Sequence, residues 1–188
     1  MTQKEHDDNT LPKIVVDVLL RSLRDDPYWK DSLFNFKDSR IAIHLAIFRE
    51  PYLAFLLEGK KTIESRFSIK RQAPYNQINE GDIILLKRAS GPIVGLCQVE
   101  DAWFYKLDVN SWHTIKNDFF KEIFVQDQQF WDDRQFASYA TLIRVHHTRS
   151  IPPIKYPKRD RRGWVVLTPR KSQLKIDSLI EHISMGSK

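Results

Sequence analysis

The chain has 188 residues, 41% hydrophobic and 29% charged, which suits one good-sized folded domain with appendages and excludes a disordered or fibrous chain. One cysteine, Cys97, excludes an internal disulfide and any zinc site built on several thiolates. The formal charge of +6 permits a polyanionic partner without requiring one.

Residues 1–12 read as a flexible tail, polar and without an apolar signal core, and with the single thiol they suggest a cytoplasmic protein. Ile14 to Leu23 is apolar at positions 15, 16, 19, 20 and 23, a helical stripe. Asp25-Asp26-Pro27 stops it and starts a second short helix through Phe34. The resulting N-terminal extension, residues 13–40, is expected to pack on the domain C-terminal to it, since its stripe cannot stay exposed.

Ile41 to Phe48 reads as a buried strand, and Glu50-Pro51 opens a helix that Gly59 ends. Thr62 to Phe67 and Ile83 to Leu86 have strand character, and Ser90-Gly91-Pro92 turns the latter into a hairpin with Ile93 to Val99. Asn110 or Ser111 is expected to cap a helix carrying Trp112, Ile115, Phe119 and Ile123 on one stripe. A further helical stretch holds Phe130, Trp131 and Phe136, within an insertion at about 108–136. Tyr139 to Val145 and Gly163 to Leu167 read as strands, with Pro152-Pro153 and Pro157 stiffening a loop between them. Leu174 to Ile183 makes an amphipathic helix within a C-terminal segment, residues 171–188. Short strands joined by turns, with few possible βαβ units, predict an α+β protein built on a small mixed or antiparallel barrel. No apolar run approaches the ~18 residues of a membrane span.

The charge is unevenly spread. Residues 100–135 carry −4, whereas residues 144–171 carry nine basic side chains against Asp160 alone. Within that block Lys155, Tyr156, Lys158, Arg159, Arg161 and Arg162 form a basic loop around an aromatic ring. Such a loop is either a solvated surface or a grip on nucleic-acid phosphate, with Tyr156 as a stacking candidate.

Residues 59–66 read Gly-Lys-Lys-Thr-Ile-Glu-Ser-Arg between the first core helix and the second core strand. Gly81-Asp82 and Ser90-Gly91-Pro92 come downstream. This arrangement resembles the ASCH domain, a branch of the PUA-like superfamily, whose signature is G-x-K-x-x-E-x-R. Gly59, Lys61, Glu64 and Arg66 match it, and the resemblance spans about 41–168 within a barrel domain of 41–170. It implies a cleft beside the barrel lined by Lys60, Lys61, Thr62, Glu64, Arg66 and Ser90.

Alternation along the strand puts Thr62, Glu64 and Arg66 on one face. The residues alone leave two readings of that face. One is an exposed strand with an ordinary Glu64–Arg66 ion pair, contributing ~0–1 kcal/mol. The other is a polar cleft in which the Arg fork takes phosphate and the carboxylate accepts from a base N–H. The resemblance favours the cleft, and with it an RNA, nucleotide or nucleoside ligand.

Some ASCH proteins resemble amidohydrolases that remove an acyl group from cytidine, using a threonine where this chain has Glu64; ribonuclease activity is also associated with the family. Lys61 and Glu64 are the catalytic candidates if this chain is a hydrolase of either kind. A third reading is a protein-interaction module docking through the N-terminal helices. His146 and His147 are adjacent on a strand and should face opposite ways. No H-E-x-x-H, Walker or G-x-G-x-x-G pattern occurs, so no metal or cofactor is expected.

Overall fold

The computed structural model describes residues 11–30, 41–157 and 161–170. Among them one six-stranded sheet organises the chain. Its strands are β1 (Ile43–Phe48), β2 (Ile63–Ser68), β3 (Ile83–Arg88), β4 (Ile93–Lys106), β5 (Tyr139–Ile154) and β6 (Trp164–Thr168). The spatial order is β2-β5-β4-β3-β1-β6. β1 and β3 run parallel and every other neighbouring pair runs antiparallel. The helices are α1 (Lys13–Ser22), α2 (Tyr52–Leu57), α3 (Val109–Asp118), α4 (Phe120–Ile123) and α5 (Gln129–Asp132). This is the expected mixed α+β architecture, a half-barrel, but β4 and β5 are long, at 14 and 16 residues, and run past the expected ends at Val99 and Val145. No helix among the described residues is long and apolar enough to cross a membrane.

Period-two alternation divides the core. Ile43 and Leu45 of β1, Ile83 and Leu85 of β3, and Val165 and Leu167 of β6 face outward. There they meet Val15, Leu19, Leu23 and Trp29 of the N-terminal segment. The apolar stripe of α1 is thus buried on its own barrel, while Ile14 on the far side is 65% exposed. Ala46, Phe48, Ile84, Leu86 and Trp164 face inward, with Leu53 and Leu56 of α2, Cys97 and Ile143. β1 and β3 are buried on both faces, which explains their nearly unbroken apolar sequences. The third cluster lies outside β2 and β5, where Ile63, Ala140 and Leu142 meet Ile115, Ile123, Phe130 and Trp131 of the insertion.

Several local expectations are corrected. The cap of α3 is Asp108, which accepts from the Ser111 backbone N–H while Ser111 accepts from that of Asp108. The stripe from Trp112 to Ile123 is broken between α3 and α4, and Phe124 comes next with φ of 60°. Phe136 is 79% exposed and outside the core. Pro152 and Pro153 lie inside β5, not in a loop. The β4–β5 register shifts between Ile93 and Gly95, opposite these prolines, and the β2 ladder ends at Arg144, so their missing N–H groups fall where the pairing is already interrupted on one side and ended on the other. His146 and His147 do not face opposite ways: β5 bulges there, His147 has φ of 48°, and the two rings lie 4.5 Å apart. The expected helices through Phe34 and over Leu174–Ile183 fall wholly or partly outside the described residues.

Candidate functional site

No ladder joins the two edge strands, β2 and β6. Arg66 of β2 spans the gap instead, donating from Nη1 to the Gly163 carbonyl at 3.3 Å and from Nη2 to the Ile47 carbonyl at 3.1 Å. Its guanidinium lies against the rings of Phe48 and Trp164, 4.8 and 5.2 Å from their centroids. One side chain thus links three strands across the seam of the half-barrel.

Register fixes where the motif points. In β2, Ile63 and Phe67 turn outward to the insertion, and Glu64 and Arg66 turn inward opposite Ile143 and Thr141. Glu64 Oε1 is 2.7 Å from Arg66 Nε, and its Oε2 is 3.5 Å from Lys61 Nζ. The Arg66 contact is one of charge, since its Nε has no aligned hydrogen-bond partner among the described residues. Lys61 donates to the Ile123 carbonyl at 3.0 Å, which ties the insertion to the barrel. Lys61 is 2% exposed and Glu64 5%. Burial draws the Lys61 amine below the ordinary lysine range, while the Glu64 carboxylate opposes that shift. An exposed surface pair is therefore excluded for Glu64 and Arg66.

This triad forms part of the wall of a cleft of about 840 Å³ along the seam. Arg49 and Lys87 line it from the ends of β1 and β3, and Ser90 from the turn after β3. Arg161 and Arg162 line it from the stretch entering β6. The insertion closes it with Phe130, Asp133 and Arg134. Seven cationic side chains thus face two carboxylates, Glu64 and Asp133, around aromatic surface from Phe48, Tyr52, Phe67 and Phe130. Burial raises the Tyr52 phenol above its usual range.

Of the residues singled out by sequence, Lys61, Glu64, Arg66, Ser90, Arg161 and Arg162 converge on the cleft. Others do not. Lys60 lies at the surface with its amine 2.7 Å from Glu58. Thr62 is exposed, and its backbone bonds to Glu122 and Val145. Lys155 is exposed near the end of β5, and Tyr156 is half-buried against the N-terminal cluster. Tyr156 is therefore a packing ring and not a lining of this cleft. Lys158 and Arg159 lie outside the described residues. Sequence reading missed Tyr52, Lys87, Phe130 and Arg134. Tyr52 was visible as the first apolar residue of α2, but nothing local marks Arg134, whose position depends on how the insertion folds back. Cys97 is buried in the inner core, which pushes its thiol up and out of reach of chemistry at neutral pH.

No family model matches the sequence, and no curated protein shows significant similarity to it. Solved structures do. ASCH from Zymomonas mobilis is similar with a TM-score of 0.54 at 20% identity, over 76% of this chain and 96% of that one. A tyrosine-to-phenylalanine variant of the same protein gives 0.53 at 19% identity, over 72% of this chain and 96% of its own. A serine-to-alanine variant gives 0.53 at 20% identity, with 73% and 95% covered. The G-x-K-x-x-E-x-R residues of this chain sit where the barrel leaves its seam open, and the chain has the ASCH fold, here a mixed half-barrel.

Proposed function

We propose that the protein binds RNA or a nucleotide in the seam cleft. The observation that carries this reading is the excess of cationic side chains over carboxylates, set among aromatic faces in a volume that suits a nucleotide. Phosphate oxygens would take the guanidinium forks, and the aromatic surface would take a base. Glu64, held between two cations, would accept a base N–H. A cytoplasmic setting goes with this reading, on the strength of a single cysteine that is buried.

Fluorescence anisotropy with a labelled single-stranded RNA tests it. Log affinity should fall linearly with log salt between about 50 and 200 mM, by roughly 0.7 per phosphate neutralised. Arg66→Ala should weaken binding at least ~10-fold, the effect of losing a charge-assisted bond of about 1.5–3 kcal/mol. Absence of binding, or binding indifferent to salt, would end the proposal.

A second reading is a hydrolase acting on RNA or an acylated nucleoside. It rests on Lys61, whose lowered proton affinity and nearby Glu64 are those of a general acid–base pair. Turnover of labelled RNA or of acylated cytidine, lost in Lys61→Met, would establish it. Binding without turnover would leave the protein a binding module.

A further inference from the structure

The insertion does more than cover the outer face of β2 and β5. It delivers one cation into the cleft in a prepared orientation. The Arg134 guanidinium carbon lies 3.8 Å from the centroid of the Phe130 ring and 5.9 Å from that of Phe67. Its Nη1 donates to the Phe130 carbonyl, so the side chain is anchored at one end of its fork. Phe130 is itself fixed, 4% exposed and edge-on to Phe67 and Trp131, with Tyr52 tilted against it. No carboxylate lies within 4 Å of Arg134 among the described residues, in contrast to Arg66, Arg88 and Arg144, which all have one. Half-buried and without a direct ion pair, Arg134 has its proton affinity lowered by burial, while Asp133 and Glu64 oppose that shift from a distance.

We propose that Arg134, stacked on Phe130, is a phosphate clamp supplied by the insertion, so that the cleft selects phosphorylated ligands over neutral nucleosides. This rests on the cleft being a site for RNA or a nucleotide. The physical argument is preorganisation. A guanidinium already flattened on a ring and tethered through one nitrogen loses little further freedom when its remaining N–H groups meet phosphate oxygens. A phosphate there also supplies the close counter-charge that Asp133 and Glu64, beyond ion-pair distance, do not. A neutral nucleoside supplies none, and would leave the guanidinium partly desolvated and unpaired.

The test compares wild type, Arg134→Gln, Arg134→Lys and Arg66→Ala, each checked for folding by circular dichroism and melting. The probe is a short fluorescein-labelled single-stranded RNA, titrated across salt, with the matching unphosphorylated nucleoside as competitor. Arg134→Gln should weaken RNA binding about 10-fold whatever the sequence, and flatten the salt slope by roughly 0.7, the share of one phosphate. Competition by the nucleoside should not weaken, since the nucleoside loses no partner in that variant. Arg134→Lys keeps the charge and loses the planar fork, so it should fall between the two. It also serves as the deciding variant if Arg134→Gln does not fold. Wild-type affinity and slope in the folded Arg134 variants, with binding lost in Arg66→Ala, would overturn the clamp and leave the cleft reading standing. No RNA binding by wild type would overturn both.

Discussion

Trp164 donates its indole N–H to Nδ1 of His44 at 3.1 Å, deep in the barrel. An indole nitrogen only donates, so Nδ1 holds a lone pair and Nε2 carries the hydrogen. That hydrogen points to Asp82 Oδ2, 3.1 Å away. Asp82 also accepts from the backbone N–H groups of Ala42 and Asn79 and pairs with Arg170. The opposite end of this relay is the face of Trp164 against which Arg66 rests. The motif arginine is therefore seated on a ring whose orientation is set from the far side of the core.

Trp164→Phe tests that relay, since it keeps an aromatic face beneath Arg66 and removes the donor. His44 Nδ1 is then left buried and unsatisfied, which costs about 1–3 kcal/mol. A fall in melting temperature of roughly 2–4 °C per kcal/mol is expected by thermal denaturation. RNA affinity should fall less than in Arg66→Ala, because the guanidinium keeps its bonds to Ile47 and Gly163. An unchanged melting temperature would show that the relay contributes nothing to the seat.

Glu64 serves two cations at once, and this predicts an asymmetry between its own loss and that of Lys61. Glu64→Gln strips the counter-charge from a buried amine and a guanidinium, and removing one partner of a buried pair costs about 3–5 kcal/mol. Lys61→Met leaves Glu64 still paired with Arg66 and should cost less. Denaturant titrations of the singles and the double variant should show non-additivity on the order of 1 kcal/mol. The sign of the pH effect comes from burial. The Lys61 amine binds its proton less tightly folded than unfolded, so its destabilising contribution is complete below the folded value. It is relieved as pH rises toward the unfolded value of ~10.4. Wild type should gain stability relative to Lys61→Met on the alkaline side; parallel pH profiles would contradict this.

The motif and its strand were legible because both signals are local. Gly59 does take the left-handed conformation, with φ of 71°, and alternation alone turns Glu64 and Arg66 to one face. What alternation cannot say is whether that face meets water or an open seam. That depends on β2 and β6 being the two edges of the sheet, a property of the whole topology. The same limit hid Arg134, since its place beside Arg66 in the cleft results from the insertion folding back across β2. Tyr156 lies apart from that cleft for a different reason. Its basic neighbours are a local signal, whereas its half-buried place against the N-terminal cluster depends on how that segment docks.

Gly95 reports on how closely β4 approaches its neighbours. A Cβ there would lie 2.6 Å from Leu57 Cδ2 and 2.8 Å from the Arg149 carbonyl oxygen. The leucine methyl can swing away, but the carbonyl belongs to the backbone of β5 at a register shift. Gly95→Ala should therefore destabilise by about 1–3 kcal/mol, as overpacking does. Gly81→Ala makes an informative comparison: nothing lies near its Cβ, so any cost there arises from its φ of 84° alone. Equal melting of Gly95→Ala and wild type would mean that β5 can shift without loss.

The histidine pair on the β5 bulge predicts a response to mild acid. Tyr28 stacks on His147 with ring centroids 3.4 Å apart and meets His146 edge-on at 6.0 Å. Trp29 donates its indole N–H to the His147 carbonyl at 2.9 Å, and Asp26 pairs with Arg149 at 2.5 Å. These contacts dock the segment after α1 onto the barrel. Burial, reinforced by neighbouring His147, holds His146 below the ordinary histidine range, while Glu100 and Glu80 oppose the shift weakly. The unfolded or undocked state then binds more protons, so docking weakens as pH falls from ~6.5 through the folded value. Asp26 also binds its proton less tightly when folded, held down first by the Trp29 N–H, but its contribution is lost only as pH falls below ~3.9. The interval between the two belongs to His146. Hydrogen exchange at Val15 and Leu19, or the emission of Trp29, should report loosening at pH ~5.5 relative to ~7.5. His146→Gln should flatten that profile. A profile that stays as steep in His146→Gln would place the proton elsewhere and remove the pair from the docking of this segment.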